Sequence, residues 1–395
     1  MNSCTLVLLG STDLSQYADV RRQADLYSGV HTVCAQARTV ERFDAQTLSN
    51  IALKINPKVG GINHILSSKA FDSYLGGNSR KNMIVLGADV GHPGAGVKAG
   101  HPSIACVVGS VDAYHVNYRG SMRLQAGGQE VTEHMESMVE ERIRAWKAAA
   151  SNANNDLTSM LFYRDGVSES QFQACLDHEI PAIKAAFKKV FPEASKELNL
   201  TFVIVGKRHH TRFYATSSAT SYVTRDNKKG NYINGNLKPG LLVQKIVTNK
   251  SPYNFFLQSH CAIKGTARSA HYHVLEDGMK IKDLPNLTML LCCAFSRATK
   301  GVSYVAPAYV ADRLCERGRV YLRRWNNEID AKPLFKLPDG KISKDELMDF
   351  KKVFAKELAG TEDVWGPNYN DGNRANKPLR LNPWHPNLDA GTFWM

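Results

Sequence analysis

Two apolar stretches of this sequence run into an acid and stop. Gly87-Ala88-Asp89-Val90-Gly91-His92-Pro93 closes one hydrophobic run with Asp89 and is then broken by glycine and proline. Phe162-Tyr163-Arg164-Asp165-Gly166-Val167-Ser168-Glu169 closes another with Asp165, just before a helical pattern. A carboxylate at the end of a buried strand is costly to dehydrate unless a cation compensates it. On neighbouring strands the two carboxylates would converge at one end of a sheet, offering the oxygen ligands that a hard divalent ion takes. Two such ions, roughly 3.5–4 Å apart, activate water and stabilise the leaving oxygen in phosphodiester hydrolysis. Taken singly, each Asp is more often a turn former or helix N-cap than a ligand.

A second group of residues is cationic. Lys54 and Lys58 lie four apart in a helical pattern that ends at Gly60 and Gly61, so they share a face and repel by a few tenths of a kcal/mol. An anionic ligand would relieve that repulsion, whereas two solvated lysines are the plain alternative. Pro57 between them lacks an N–H and is expected to end the helix early. The His-rich words, His209-His210 and His271-Tyr272-His273, have no Cys at zinc-ligand spacing and are expected to pack and hydrogen-bond.

The elements that must carry these residues read as α/β. Strands are expected at 5–9 and 31–36 and helices at 17–25 and 44–55, the second with Asp44 as N-cap, which makes a small layered unit. After the polar segment 67–80 come strand patterns at 83–90, 103–111 and 115–125, closely spaced as in an antiparallel meander. Helix 131–149, strand 160–164, helix 168–190 and strand 200–206 follow, which is the order of a ribonuclease H-like fold. In the tail from 333 onward, 341–358 reads as a charged amphipathic helix, expected as a solvated surface element.

Composition bounds the function. Of 395 residues, 50 are Lys or Arg and 37 Asp or Glu, leaving a formal net charge of +13 that favours a polyanionic partner. No apolar run approaches the ~18–20 residues of a membrane span, and no basic, then apolar, leader opens the chain. Eight cysteines without a Cys-x-x-Cys pair fit reduced thiols in the cytoplasm, with the nucleus as the other location.

Longer words identify a family. The two acid-bearing motifs, Lys207-Arg208-His209-His210-Thr211-Arg212 and His271-Tyr272-His273-Val274-Leu275 resemble, in order, the PIWI domain of eukaryotic Argonautes. The stretch from Thr47 to Gly61 resembles the end of the family's MID domain, and the likeness covers about residues 5 to 325. The fungal quelling Argonautes are the nearest subgroup expected. The resemblance implies a Rossmann-like MID lobe in 1–66, a linker in 67–80 and a ribonuclease H-like PIWI lobe in 81–395. It also implies a slicer set: Asp89 and Asp165 as the paired aspartates, Glu130 as a mobile glutamate behind Gly127-Gly128, and Asp312 where relatives commonly carry His. Asp89, Asp165 and Asp312 would hold Mg²⁺ or Mn²⁺, two ions when guide and target are paired. Glu130 could instead be one more surface acid ahead of Glu133, Glu136, Glu140 and Glu141, and Asp312 could merely pair with Arg313 or Arg317.

For the guide, the resemblance implies that Tyr17 stacks on the first base and that residues 10–16 sense it. Arg21, Thr32, Cys34, Lys54, Lys58 and Arg317 would surround its 5′ phosphate, while Lys207, Arg212, Arg268, Arg297 and Ser303 would follow its backbone. Two positions depart from the pattern: Arg21 replaces the usual Lys, and Val33 a glutamine. The implied function is small-RNA-guided silencing, with a 5′-phosphorylated guide, cleavage of complementary target RNA to 5′-phosphate and 3′-hydroxyl ends, and silencing partner proteins. A guide-loaded module that does not cut and a guide-independent nuclease are the alternatives. With no recognisable N-terminal or PAZ domain, the chain is expected to be the MID–PIWI part of a longer protein.

Overall fold

A parallel pair of strands bridged by a helix begins the chain. Strand β1 (Cys4–Leu9) pairs with β2 (His31–Gln36), Cys4 opposite His31, and α1 (Leu14–Arg22) crosses between them. A wide turn, Gln23–Ser28, prolongs α1. Helix α2 (Ala45–Lys58) starts where Asp44 accepts the Thr47 N–H at 3.0 Å. It does not end early: Pro57 lies inside its last turn. The missing N–H would orphan the Leu53 carbonyl, and Asn63 Nδ2 donates to that oxygen instead, at 2.8 Å. This unit is Rossmann-like. The computed structural model describes residues 3–42, 44–77, 79–94, 100–195, 197–226, 230–262, 265–328, 343–370 and 380–395.

Helix α3 (Ser68–Leu75), within the segment expected as a linker, buries Phe71 and Leu75. Beyond it β3 (Met83–Gly91), β4 (Ser103–Ser110) and β5 (Tyr118–Gln125) form the antiparallel meander. Strand β5 begins later than expected because Asp112 accepts the Val116 and Asn117 amides and His115 takes a φ of 54°. Helix α4 (Met135–Ala148), β6 (Ser159–Asp165), α5 (Ile180–Val190) and β7 (Asn199–Gly206) follow. The expected single helix over 168–190 is segmented, with a wide turn, Cys175–Glu179, that carries Glu179 inward. A hairpin, β8 (Ser221–Asp226) with β9 (Gly230–Leu237), stands apart. Strands β10 (Leu241–Val243), β11 (Asn254–Gln258) and β12 (Ala270–Asp277) extend the main sheet to the order β10-β11-β12-β7-β6-β3-β4-β5. Its three central strands, β7, β6 and β3, are parallel, and the lobe is ribonuclease H-like.

Alternation divides this sheet between two cores. Ile84, Leu86, Ala88 and Val90 of β3 join Met160 and Phe162 of β6 under α4 and α5. Met83, Val85, Leu161 and Tyr163 face the other way, toward α6 (Leu284–Cys292) and α7 (Ala306–Glu328). Helix α7 lies against β3 because Gly87 meets it: a β-carbon there would stand 2.1 Å from the Pro307 carbonyl.

The tail corrects one expectation. Helix α8 (Lys344–Ala359), capped by Ser343, is not merely a solvated element: Phe354, Ala355 and Leu358 are buried, Phe354 against Trp325 at 5.8 Å. These three side chains make a short buried stripe on a helix half of whose residues are charged, enough to seat one face. Trp365, Trp384, Trp394 and Met395 are buried in the same core. Positions 333–342 lie outside the described residues.

Candidate active site and cationic cavity

Register places the acids. Strands β3 and β6 are parallel neighbours with Ala88 opposite Arg164, so Asp89 and Asp165 follow one step later, both on the α7 face. Asp312 comes to them on α7, whose first turn is pressed onto Gly87 by the small residues Ala306, Ala308 and Ala311. Burial and the Asp312 charge push the Asp89 carboxyl up to about 6, and burial with the Asp89 and Asp312 charges raises that of Asp165. Cys315 Sγ, from the next turn of α7, lies 3.3 Å from the Asp89 carbonyl.

Asp312 also receives Arg313 Nη2 at 3.0 Å, so the pairing with a neighbour on its own helix and the approach to the aspartates coexist. Among the described residues, no three His, Cys, Asp or Glu side chains stand as a ready-made metal-coordinating group. The donor chemistry nonetheless fits a hard divalent ion. Beside Asp312, Asp89 and Asp165 are gathered where burial and like charge disfavour their ionisation, and that is the imbalance such an ion corrects.

Glu130 is not one more surface acid. His92 Nε2 contacts its Oε2 at 2.7 Å, and Arg164 donates to Oε1 at 2.9 Å and to the Glu130 carbonyl at 2.6 Å. Arg164 is wholly buried on the face opposite the aspartates and is balanced by Glu179 at 3.1 Å. These contacts set Glu130 beside Gly166, where an added β-carbon would lie 2.9 Å from Oε1. Opposing charges from His92 and Arg164 outweigh burial and hold the Glu130 carboxyl below its usual range. Arg164 and His92 were within sight in the two acid motifs; an arginine inside an apolar strand is the signal that a buried acid partner must exist.

The cations meet elsewhere. Tyr17, Arg21, Cys34, Lys54, Lys58, Arg297, Arg313 and Arg317 line a cavity of about 360 Å³, with the acidic Glu316 also on its wall and Trp394 and Met395 closing it. Arg21 stacks on Tyr17 at 5.1 Å and donates to Thr32 O at 2.8 Å and Thr32 Oγ1 at 2.6 Å. Thr32 thus positions Arg21, and Val33 takes a place on the wall. Lys54 is half-buried, and its amine is lowered by burial and by Arg297. Lys58 is 2% exposed and donates to the Phe393 carbonyl; burial, then Arg317 and Arg21, hold its amine well below the usual range. Arg317 is committed to the buried carboxylate of Asp25 and donates to the Trp394 carbonyl at 3.3 Å.

The remaining expected residues are scattered. Lys207 sits over the Tyr304 ring at 5.4 Å, its amine lowered to about 8 by burial against the counter-pull of Asp165, so it looks toward the acids. Arg212 folds back on the carbonyls of His209 and Thr211, Arg268 is exposed, and Ser303 is half-buried. Of the histidines, His209 contacts Ser269 O, His271 contacts Asn254 Oδ1, and His273 contacts His271.

A Piwi domain family model matches residues 4–323. Protein argonaute 18 of Oryza sativa subsp. japonica is 36% identical over 329 residues, covering 81% of this chain and 29% of that protein. The chain thus spans less than a third of that relative's length. The C-terminal lobe of a budding yeast Argonaute superposes with a TM-score of 0.76 at 25% identity, over 99% of this chain and 69% of that one. Kluyveromyces polysporus Argonaute with a guide RNA gives 0.75 at 25% identity, over 99% and 42%. The N. crassa QDE-2 AGO MID-PIWI domains give 0.58 at 22% identity, over 99% and 79%, a likeness of fold. A Piwi match that spans four fifths of the sequence, laid over a fold shared with Argonaute C-terminal lobes, makes the chain a member of the Piwi family and an Argonaute homologue.

Proposed function

We propose that this chain holds the 5′-phosphorylated end of a small guide RNA in the cationic cavity and cleaves complementary target RNA at the acid cluster. The observation that carries the reading is the cavity itself, in which six cationic side chains converge on about 360 Å³ beside an aromatic ring. Among them Lys54, Lys58 and Arg297 bear burial and like-charge repulsion that an anion relieves, and a terminal phosphate is the compact anion with enough oxygens to use several donors. Tyr17 supplies a face for the first base, worth ~1–3 kcal/mol without reading its identity. Kluyveromyces polysporus Argonaute, solved with a guide RNA, is a structural neighbour over nearly the whole chain.

For cleavage, Asp89, Asp165 and Asp312 would hold Mg²⁺ or Mn²⁺, which when bound activates water and neutralises charge on the scissile phosphate. Glu130 presents a carboxylate beside them, oriented by His92 and Arg164. Base pairing with the guide chooses the target, while the protein's phosphate contacts fix register.

The test is binding of one short RNA carrying a 5′ phosphate or a 5′ hydroxyl, repeated with Lys54→Ala, followed by target cleavage with Asp89→Ala. The phosphorylated RNA binds more tightly, the preference collapses in Lys54→Ala, and Asp89→Ala binds guide yet does not cut. Equal binding of both RNAs would refute the cavity assignment. The guide-loaded module that does not cut draws support from the engagement of Asp312 by Arg313, and wild-type protein without cleavage would select it.

A further inference from the structure

The loop that carries Glu130 turns on two glycines, with the Gly128 N–H donating to Ser103 Oγ at 3.0 Å. Gly127 has no room for a side chain, since a β-carbon would fall 2.1 Å from the His101 carbonyl, and Gly128 adopts a φ of 84°. Two adjacent glycines lose much conformational freedom when fixed, so the loop's order must come from outside it. On the sheet side Arg164 and His92 hold the acid, and Gln125 Nε2 holds the Gln129 carbonyl at 2.6 Å. Facing them is α8. Lys351 Nζ donates to the Gly127 carbonyl at 3.0 Å, three residues before Glu130, and Lys352 Nζ meets Glu133 Oε1 at 3.3 Å, three residues after it. Consecutive helical side chains diverge by about 100°, so the pair straddles the loop. The helix is itself moored, with Phe354, Ala355 and Leu358 in the core and Phe350 stacked on Phe354 at 5.9 Å.

The geometry points to Lys351 and Lys352 as positioning residues that latch the Glu130 loop in its inserted place. Neither touches the acids. They act through the backbone at one shoulder of the loop and through Glu133 at the other, and so set the fraction of molecules in which Glu130 stands beside Asp165. Lys351 carries most of the effect, because its half-buried contact is a charge-assisted bond to a main-chain oxygen. The Lys352–Glu133 pair is exposed on both sides, 45% and 48%, and adds little. The catalytic consequence rests on the cleavage reading above, whereas the latch itself does not.

The experiment compares wild type, Lys351→Met and Lys351→Arg in the chain loaded with a 5′-phosphorylated guide. Single-turnover target cleavage is read beside amide hydrogen exchange over 127–133. Lys351→Met speeds exchange across that window and slows cleavage about tenfold, the loss of one charged hydrogen bond, with guide affinity unchanged and only a small fall in thermal midpoint. Lys351→Arg restores both. Lys352→Glu slows cleavage about twofold, and adding Glu133→Lys recovers it. Unaltered exchange over 127–133 in Lys351→Met overturns the latch, whether cleavage is slowed or not. Wild-type protein that does not cut ends the cleavage reading, and the exchange comparison then decides the latch alone.

Discussion

The acid cluster and the cationic cavity both collect like charges, but they are assembled by opposite means. The acids are placed by backbone: two adjacent parallel strands in fixed register and one helix pressed onto a glycine. The cations are placed by side chains drawn from α1, α2, the loop bearing Arg297, and α7, three of them steered by hydrogen bonds. Thr32 steers Arg21, the Phe393 carbonyl steers Lys58, and Asp25 steers Arg317. Backbone placement tolerates little adjustment and suits a small, hard ion. Side-chain placement yields by rotamers and suits a ligand whose atoms vary beyond the phosphate.

The largest effect expected on this contrast falls on the rigid side. Asp89→Ala lowers target cleavage by about 10²–10³-fold or more while guide affinity holds, as read by single-turnover assay on guide-loaded protein. In the cavity, the two lysines separate. Lys54→Ala costs about tenfold in affinity for the 5′-phosphorylated RNA and leaves stability alone, whereas Lys58→Ala also lowers stability by about 1–3 kcal/mol, because the Phe393 carbonyl loses its donor. Equal thermal midpoints for the two variants would erase the distinction between a ligand-facing and a structural lysine. Smaller still, Asp165→Asn raises metal-free stability by about 1 kcal/mol in urea unfolding, since it removes a carboxylate that burial and two like charges oppose.

Acid separates the clusters from the rest of the fold. Burial lowers the His115 imidazole to about 3 against an ordinary 6.5. The unfolded chain therefore takes up that proton first: the stability is complete above pH 6.5 and drains by up to about 1.4 kcal/mol per unit as pH falls toward 3. Asp89, raised to about 6, works the other way, binding its proton first in the native state and steadying it as pH drops from 6 toward 4. Urea midpoints across pH should thus fall less steeply below pH 6.5 in His115→Gln and more steeply in Asp89→Asn.

The legibility of the two sites follows their construction. Period-two alternation and the position of an acid at a run's end exposed Asp89 and Asp165, because strand-bound chemistry is local in sequence. Asp312 and Glu130 needed the family resemblance, since the contacts that bring them in come from residues 34 and more positions away, such as Arg164 to Glu130. Pro57 misled for the same reason: the rescue of the Leu53 carbonyl by Asn63 lies past the helix's own end. Helix α8 read as solvated because its charged positions outnumber a buried stripe of three residues, Phe354, Ala355 and Leu358.

Gly87 carries a consequence for which part of the site can change shape. With no atoms between β3 and the first turn of α7, strand and helix touch main chain to main chain, and a single methyl group would wedge them apart. The distance from Asp89 to Asp312 is thereby set by two backbones in van der Waals contact, a stiff joint with no side chain to repack. On the cleavage reading proposed above, any adjustment around a bound RNA would then fall to the Glu130 loop on the other side, with the β3–α7 joint as a fixed anvil.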